Sequence, residues 1–223
     1  MSVLLPVPIK PGMSEAIRTM FEDHLFPAAE ACGAEVVIDE CPFAKLPGEN
    51  FYANVARARN HILDEHLRDE HTDVLWIDAD IVEFPTDLYT RLRAVSDGIV
   101  APLCLIEDTD PPMFYDIAGF RERNPELPTR HYEPWFDSYD PVVEMLSVGA
   151  CVVIPAEVHR RFRFEAQKPR DPFNNTDWFT LMENARAAGY RVLCDTTTRV
   201  YHAKLPDYGE EWHDGNDWNS RNP

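Results

Sequence analysis

The hydrophobic positions in the first half of the chain follow two alternating patterns. One is a short and nearly continuous apolar run, which is typical of a strand that is buried on both faces. The other is an apolar position every three or four residues, which is typical of a helix that packs one face on a core. The runs predict strands at residues 3–9, 34–39, 73–78 and 98–103, and the periodic stretches predict helices at residues 15–32, 52–68 and 87–95.

The pattern changes after residue 106. Residues 107–141 are rich in proline, aromatic and charged residues and show no period, and a connection of this length usually has a function of its own. Residues 205–223 are a polar tail. Between these two segments the earlier patterns return, and they predict strands at residues 145–154, 190–194 and 198–202 and helices at residues 157–162 and 177–188.

Strands that alternate with helices predict an α/β fold in a single Rossmann-like domain, with a mostly parallel central sheet flanked by helices. A chain of 223 residues fits one such domain. Ligands of these sheets bind beyond the carboxyl ends of the strands. Three aspartates, Asp39, Asp78 and Asp80, fall at that edge, so we expect the ligand to bind there.

The charge balance limits the kinds of partner. The 21 Lys and Arg residues against 39 Asp and Glu residues give a formal net charge of −18, which repels polyanions at long range. Non-specific binding to nucleic acid is therefore disfavoured. A divalent cation can still reverse the charge inside one pocket, so the sequence is compatible with a small anionic ligand that binds together with a metal.

The cysteine pattern and the hydropathy favour a cytoplasmic protein with neither a membrane nor a disulfide-linked partner. The cysteines are odd in number, widely spaced and mostly set among apolar residues, as reduced thiols usually are. The sequence has neither a basic start followed by a long apolar run nor 18 consecutive apolar residues. The five cysteines are Cys32, Cys41, Cys104, Cys151 and Cys194.

The most specific chemical signal is the pair Asp78 and Asp80 at the end of the apolar run at residues 73–78. With one residue between them, the two carboxylates leave the strand on the same side, a spacing suited to a hard divalent cation. A calcium loop of the EF-hand type is excluded, because Glu83 and Tyr89 stand where it needs glycine and glutamate. The sequence also lacks the glycine-rich nucleotide loops and the zinc-protease and serine-hydrolase motifs.

Five segments, taken in order, resemble those of one enzyme family. They are Ala-Arg-Asn at residues 58–60, Asp-Val-Leu-Trp-Ile-Asp-Ala-Asp at residues 73–80, Ser-Val-Gly-Ala-Cys-Val-Val-Ile at residues 147–154, Thr-Asp-Trp at residues 176–178, and residues 189–202. Together they resemble GT-A type glycosyltransferases of family 2. Residues 75–81 with the following Pro85 are also similar to mannan-polymerase-type mannosyltransferases. The resemblance covers roughly residues 3–204 and implies transfer of a sugar from a nucleotide-diphosphate sugar to an acceptor hydroxyl.

The resemblance implies a division of the chain and a metal cofactor. The nucleotide-binding half is expected at about residues 1–104, the acceptor or catalytic half at about residues 105–204, and a tail or lid at residues 205–223. The cofactor is a divalent metal, and a mixture of imidazole and carboxylate ligands suits manganese better than magnesium. The implied metal ligands are Asp78, Asp80 and His202. For Asp78, the ribose of the nucleotide is an alternative partner.

The resemblance also implies residues for the base, the acceptor and the donor. Asp177 corresponds to the carboxylate that deprotonates the acceptor hydroxyl in inverting enzymes, although it is equally suited to cap a helix. The family's Glu-Asp pair is Thr176-Asp177 here, which leaves an inverting or retaining outcome open. The aromatic and acidic residues at 135–140 suit a sugar acceptor. The implied donor-binding residues are Pro6, Val7, Pro8, Asp39, Arg59, Asp78, Gly149 and Ala150.

Other functions stay open. A catalytically silent sugar-nucleotide or glycan-binding domain would share the fold, although the presence of both Asp80 and Asp177 favours an enzyme. A metal-dependent nucleotidyltransferase or hydrolase would usually begin with a glycine-rich basic loop, whereas residues 3–12 contain one Gly and one Lys. The acceptor is a glycan, a protein, a small molecule or, as in phage-type enzymes, a hydroxylated or hydroxymethylated DNA base. For DNA, the arginines at residues 121–130 and 160–170 would form a local basic face.

Overall fold

The computed structural model describes residues 2–9, 21–40, 51–108, 113–115, 141–165 and 177–203. These residues include every predicted metal-site, donor-site and base residue. The polar tail at residues 205–223, the acceptor segment at residues 135–140, Cys41 and the first part of the helix predicted at residues 15–32 lie outside them.

Strands and helices alternate along the described part of the chain, close to the predicted positions. The strands are β1 (Ser2–Ile9), β2 (Ala34–Glu40), β3 (His71–Ile77), β4 (Ile81–Glu83), β5 (Ile99–Ile106), β6 (Met113–Phe114), β7 (Val142–Glu144), β8 (Cys151–Pro155) and β9 (Val192–His202). The helices are α1 (Phe26–Cys32, after a π-helical turn at Phe21–Leu25), α2 (Phe51–His66), α3 (Leu88–Val95), α4 (Ala156–Arg161) and α5 (Asp177–Ala187). No described helix is both long enough and apolar enough to cross a membrane.

The nine strands form one sheet in the order β2-β1-β3-β8-β5-β9-β4, with β6 paired to β5 and β7 paired to β9. Strands β1, β2 and β3 are parallel to one another, and so are β5 and β9. Strand β8 lies between these two groups and is antiparallel to both. The prediction of a single α/β domain around a central sheet is confirmed, and the sheet is mixed rather than purely parallel.

The direction of β8 decides which residues meet at one edge of the sheet. Because β8 is antiparallel to β3 and β5, these two strands run in the same direction, and β9 follows β5. The carboxyl ends of β1, β2, β3, β5 and β9 therefore lie at one edge. The amino end of β8 lies at this edge too. Residues from distant parts of the sequence are thus brought together where ligands of such sheets bind.

Both faces of the sheet are covered, which explains the nearly continuous apolar runs in the sequence. Along β3, Val74 and Trp76 belong to one core cluster, and Leu75 and Ile77 belong to the other. The first cluster includes residues of α2, α4 and α5, and the second includes residues of α1 and α3. No disulfide joins the described cysteines, of which Cys32 is half-buried and Cys104, Cys151 and Cys194 are buried.

The two strands predicted at residues 190–194 and 198–202 are one continuous strand, β9. Its pairing with β5 shifts register after Asp195 and leaves a bulge. The Asp195 carboxylate accepts hydrogen bonds from the Thr197 amide (2.9 Å) and from the hydroxyls of Thr197 and Thr198 (2.7 Å each). Such side-chain bonds to the nearby backbone are typical of turns. The Asp-Thr-Thr-Thr sequence at residues 195–198 therefore resembles a turn between two strands, although the strand continues through it.

The strand predicted at residues 145–154 begins only at Cys151. Met145 and Val148 are each 2% exposed, so they are core residues without being strand residues. Ala150 has a φ angle of 55°, in the left-handed region, which regular strands exclude. The apolar pattern here reports burial of a connecting segment, not pairing in the sheet.

A buried ion pair fastens α3 to the amino end of β3. Arg93 donates a hydrogen bond to one oxygen of Asp73 at 2.5 Å, and the Tyr89 hydroxyl donates to the other at 2.8 Å. Arg93 and Asp73 have side chains that are only 11% and 10% exposed. Arg93 also donates to the carbonyls of Ser96 and Gly98, so its role in the described structure is to hold this corner of the fold.

Candidate active site

The backbone around Asp78 and Asp80 is held from two sides. The Asp78 amide donates to the Ala150 carbonyl at 2.7 Å, which joins the end of β3 to the segment before β8. The Ala203 amide donates to the Asp80 carbonyl at 2.7 Å, which joins the same turn to the end of β9. The Ile81 amide closes the turn on the Asp78 carbonyl at 3.0 Å. Both aspartates therefore have fixed positions at the carboxyl edge of the sheet.

Arg59 joins Asp78 to Asp177. Its Nη2 atom donates to both carboxylate oxygens of Asp78, at 2.7 and 2.8 Å, and its Nη1 atom donates to Oδ2 of Asp177. Arg59 is 4% exposed and Asp177 is 1% exposed, so water scarcely screens these charges. Burial lowers the pKa of Arg59, but the Asp177 and Asp78 carboxylates together outweigh it, so the pKa lies above its ordinary value. The residue predicted to approach the nucleotide thus bonds to the predicted base and to the first motif aspartate.

Aromatic side chains surround the guanidinium of Arg59. Its Cζ atom lies 4.4 Å from the ring centroid of Trp178, 5.5 Å from that of Phe164 and 6.0 Å from that of Trp76. Asn60 holds the Phe164 backbone with two hydrogen bonds, at 2.8 and 3.0 Å. Sequence reasoning missed this enclosure. Its only signal was that two tryptophans stand beside the candidate aspartates, at positions 76 and 178.

Asp80 and His202 form a second charged pair at the same edge. The Nε2 atom of His202 lies 3.2 Å from Oδ2 of Asp80, and the His202 side chain is 2% exposed. The ring of Tyr115 stacks on the imidazole, with centroids 4.1 Å apart and planes 18° apart. Burial lowers the pKa of His202, but the neighbouring Asp80 carboxylate more than compensates, so the pKa lies above its ordinary value. Sequence reasoning missed Tyr115, which stands in an irregular segment without a pattern.

The donor atoms of this pair fit a divalent cation. The Nδ1 atom of His202 lies 2.8 Å from the Ala203 carbonyl, so Nδ1 carries a hydrogen. Nε2 faces Asp80 and carries a hydrogen in the imidazolium form and a lone pair in the neutral form. Nε2 is buried and lies 3.2 Å from Oδ2 of Asp80, without a hydrogen bond of regular geometry. A lone pair opposite a carboxylate oxygen needs either a proton or a cation between the two. Imidazole nitrogen and carboxylate oxygen together suit manganese.

Of the three predicted metal ligands, Asp80 and His202 are the two that face each other in the described part of the chain. Asp78, the third predicted ligand, has both oxygens bonded to Arg59. No group of three or more His, Cys, Asp or Glu side chains within the described ranges is arranged to hold a metal ion. A metal at Asp80 and His202 would therefore take its other ligands from a bound substrate or from water.

The described side chains of the site carry an excess of negative charge. Burial raises the pKa of Asp78 to about 6; the Arg59 guanidinium opposes the rise, and the Asp80 carboxylate adds to it. Asp78 and Asp177 bond to the Arg59 guanidinium and Asp80 faces His202, so among these described side chains three carboxylates face at most two cations. A divalent cation would balance this charge, which is a second reason why the residues present fit a metal.

Gly149 and Ala150 approach protein groups closely at this edge. A Cβ atom on Gly149 would lie 2.8 Å from Cδ1 of Trp178, so only glycine fits against this ring. The strained backbone of Ala150 presents its carbonyl to the Asp78 amide. In this structure Gly149 packs against Trp178, and Ala150 accepts a hydrogen bond from Asp78. Their predicted contact with a donor sugar stays a prediction.

Gly149→Ala is expected to displace Trp178 and lower the free energy of unfolding by about 1–3 kcal/mol, the usual effect of an extra methyl group in a packed site. Gly98→Ala is the matched control, because its new methyl group would lie no closer than 3.3 Å to the nearest atom, the Ser96 hydroxyl. Urea denaturation of both variants measures the difference. Equal stability of the two variants would contradict the close approach to Trp178.

The residues predicted for the nucleoside lie on the two strands at one end of the sheet. Pro8 of β1 lies opposite Asp39 of β2, and the Asp39 carboxylate is 3.8 Å from Nε2 of His61 in α2. Pro6 and Val7 are buried, whereas Pro8 and Asp39 are half-buried. Side-chain access to a base is therefore greatest at Pro8 and Asp39. The nucleoside contacts themselves stay predictions.

Comparison with known proteins gives one match to a family model. The Anp1 model, that of a mannan polymerase family, matches residues 52–131, just over a third of the chain. The matched segment contains nearly all of α2, the motif at Asp78 and Asp80, and β5. No curated protein matches the chain in sequence.

Three solved structures resemble the chain at low sequence identity. A197 from STIV has a TM-score of 0.53 and 14% identity, with 91% of this chain and 85% of that chain covered. GalNAc-T7 with UDP, GalNAc and Mn²⁺ has a TM-score of 0.53 and 11% identity, with 91% of this chain and 43% of that chain covered. The catalytic domain of Drosophila β1,4-galactosyltransferase 7 with xylobiose has a TM-score of 0.50 and 15% identity, with 97% and 74% covered.

These likenesses decide the fold. The chain has the GT-A fold. The predicted fold class is confirmed, and the resemblance noted in the sequence is confirmed as far as the GT-A type. This chain spans less than half the length of the GalNAc-T7 chain that it matches.

Proposed function

We propose that this protein is a metal-dependent glycosyltransferase that moves a sugar from a nucleotide-diphosphate sugar to an acceptor hydroxyl. The observation that carries the proposal is the pair of Asp80 and His202 at the carboxyl edge of a GT-A fold, with Nε2 of the histidine buried 3.2 Å from a carboxylate oxygen. The likeness to GalNAc-T7, whose structure contains UDP, GalNAc and Mn²⁺, supports the donor class and the metal. The Anp1 match supports similarity to mannosyltransferases.

Asp80 and His202 would hold the divalent metal, with manganese preferred and magnesium as the alternative. When bound, the metal supplies positive charge that stabilises the diphosphate as the glycosidic bond breaks. We assign Asp78 to the ribose or to the outer edge of the metal site, because Arg59 already donates to both of its oxygens. Its remaining lone pairs can still accept a hydrogen bond from a hydroxyl group.

Asp177 is the proposed general base of an inverting transfer. The acceptor oxygen forms a bond to the anomeric carbon while the bond from that carbon to the diphosphate oxygen breaks, and the acceptor proton passes to the carboxylate. The shared contact with Arg59 supports this role, because it sets Asp177 beside the motif that faces the donor. The proposed acceptor is a glycan, a protein, a small molecule or a modified nucleobase.

The proposed donor site continues from the motif along the edge of the sheet. The base would lie along Pro6, Val7 and Pro8 with Asp39 at its polar side, and the sugar would approach Gly149 and Ala150. We propose the same division of the chain as the sequence suggested: a nucleotide-binding half at about residues 1–104, an acceptor or catalytic half at about residues 105–204 and a tail or lid at residues 205–223.

A thermal-shift screen with Mn²⁺ tests the proposed donor class. The panel consists of UDP-glucose, UDP-galactose, UDP-GalNAc, UDP-GlcNAc and GDP-mannose, each with Mn²⁺, with Mg²⁺ and with EDTA. We expect one nucleotide class to raise the melting temperature only with metal, since a ligand that binds the native state stabilises it. Hydrolysis of the stabilising donor without an acceptor should follow. No metal-dependent stabilisation and no hydrolysis across the panel would contradict the proposed function.

A catalytically silent sugar-nucleotide-binding domain is the second candidate. The burial of Asp177, at 1% exposure and bonded to Arg59, favours it, because a general base must reach the hydroxyl group that it deprotonates. The same screen separates the two functions. Metal-dependent stabilisation by a nucleotide sugar without hydrolysis, and without transfer to any acceptor offered, would support the silent domain.

A further inference from the structure

We propose that Arg59 is a positioning residue of this site, which holds Asp177 at a fixed place relative to the metal-binding motif by bonding to Asp177 and Asp78 at once. The inference rests on the proposed function, because it needs a metal-bound donor on one side and a base on the other. It differs from the sequence-based prediction, in which Arg59 contacts the nucleotide. Arg59 then acts on turnover through Asp177 and leaves the affinity for the donor largely unchanged.

The three charged groups come from three separate elements. Arg59 lies in α2, Asp78 follows β3, and Asp177 begins α5. Each terminal nitrogen of the guanidinium serves a different carboxylate. A planar guanidinium can do this because its N–H groups point in fixed directions, whereas the compact ammonium group of lysine cannot span two partners in the same way. One side chain therefore sets the distance between the start of α5 and the end of β3.

The surroundings of Arg59 fit positioning better than contact with a nucleotide. The residue is 4% exposed, and the ring of Trp178 lies 4.4 Å from its guanidinium carbon. A phosphate contact would require the guanidinium to leave Asp78 and Asp177. Two carboxylates that are 17% and 1% exposed would then lose their cation, which is strongly unfavourable. The present contacts are therefore the stable ones, and the aromatic enclosure strengthens them by excluding water.

The chain offers a matched control for this role. Arg93 also forms a buried ion pair with an aspartate, Asp73, but at the amino end of β3 and away from the motif. Arg93→Gln and Arg59→Gln each leave a buried carboxylate without its cation, so both should lower the melting temperature. Only Arg59→Gln should disturb the base. Arg59→Lys, which keeps the charge but not the geometry, is the conservative variant.

The experiment compares the four proteins, wild type included, by three measurements. These are the melting temperature, the Kd for UDP or GDP with Mn²⁺, and kcat and KM for Mn²⁺-dependent hydrolysis of the panel sugar that the wild type accepts. For Arg59→Gln we expect kcat to fall on the order of 10²-fold, the effect of a small misplacement of a catalytic group, with Kd little changed. Arg59→Lys should recover part of kcat. Arg93→Gln should lose stability and keep its kcat.

Three results would overturn the inference. If Arg59→Gln keeps the kcat of Arg93→Gln per folded molecule, Arg59 is structural only. If Kd and KM rise while kcat is unchanged, Arg59 acts on donor binding, directly or through Asp78, and does not position the base. In both cases the wild type still hydrolyses the sugar, so the proposed function stands. A wild type without Mn²⁺-dependent binding or hydrolysis of any panel sugar contradicts the proposed function, and the inference fails with it. If Arg59→Gln does not fold, the same criteria apply to Arg59→Lys.

Discussion

Asp80→Asn is expected to weaken the Mn²⁺-dependent binding of a nucleoside diphosphate by about 100-fold or more, at least the loss found when groups that support metal ligands are removed. The substitution keeps the size of the side chain and removes the charge that faces Nε2 of His202 at 3.2 Å. Calorimetric titration of UDP and GDP in the presence of Mn²⁺, with EDTA as the blank, measures the change.

Two further variants complete this test. His202→Ala should weaken the same binding, but less than Asp80→Asn, since the carboxylate and the diphosphate still hold the metal. Asp87→Asn is the control, because Asp87 is an exposed aspartate that pairs with Arg91 in the same helical turn. Full metal-dependent binding by Asp80→Asn would falsify the assignment of the metal site.

Asp177→Asn is expected to reduce transfer on the order of 10²-fold or more while donor affinity is kept, the usual consequence of losing a general base. The fold should survive, because the amide oxygen of asparagine still accepts a hydrogen bond from Arg59. Steady-state kinetics and the Kd for the donor separate the two effects. Glu183→Gln, an exposed acid on the same helix, is the control. Turnover near the wild-type value in Asp177→Asn would exclude Asp177 as the base and favour either a retaining mechanism or another base.

The sequence was sufficient to predict the fold class because the sheet is buried on both faces. Residues of β3 alternate between two cores, so their apolar run is continuous and its strand character is clear. The direction of a strand leaves no such mark. Strand β8 is antiparallel to β3 and β5, which no apolar pattern records, and a mostly parallel sheet was predicted where the sheet is mixed. The segment before Cys151 was also predicted as a strand, because a buried connecting segment and a buried paired strand have the same apolar pattern in the sequence.

The site was predictable only where its residues are close in sequence or end a strand. Asp78 and Asp80 follow a strand directly, so their place at the carboxyl edge could be expected. The contact between Arg59 and Asp177 could not be expected, because 118 positions separate the two residues in sequence and the contact depends on how α5 packs. The stacking of Tyr115 on His202 likewise depends on β6, a two-residue strand without a sequence pattern. Long-range pairing, not residue chemistry, is what the sequence left undecided.

The most direct test of the proposed metal site is anomalous diffraction from crystals of the protein grown with Mn²⁺ and UDP or GDP, recorded on both sides of the manganese absorption edge. The proposed function predicts a strong anomalous peak within bonding distance of Nε2 of His202 and a carboxylate oxygen of Asp80, with the diphosphate as a further ligand and with Arg59 still bonded to Asp78. A peak elsewhere in the molecule, or a bound nucleotide without manganese at Asp80 and His202, would contradict it.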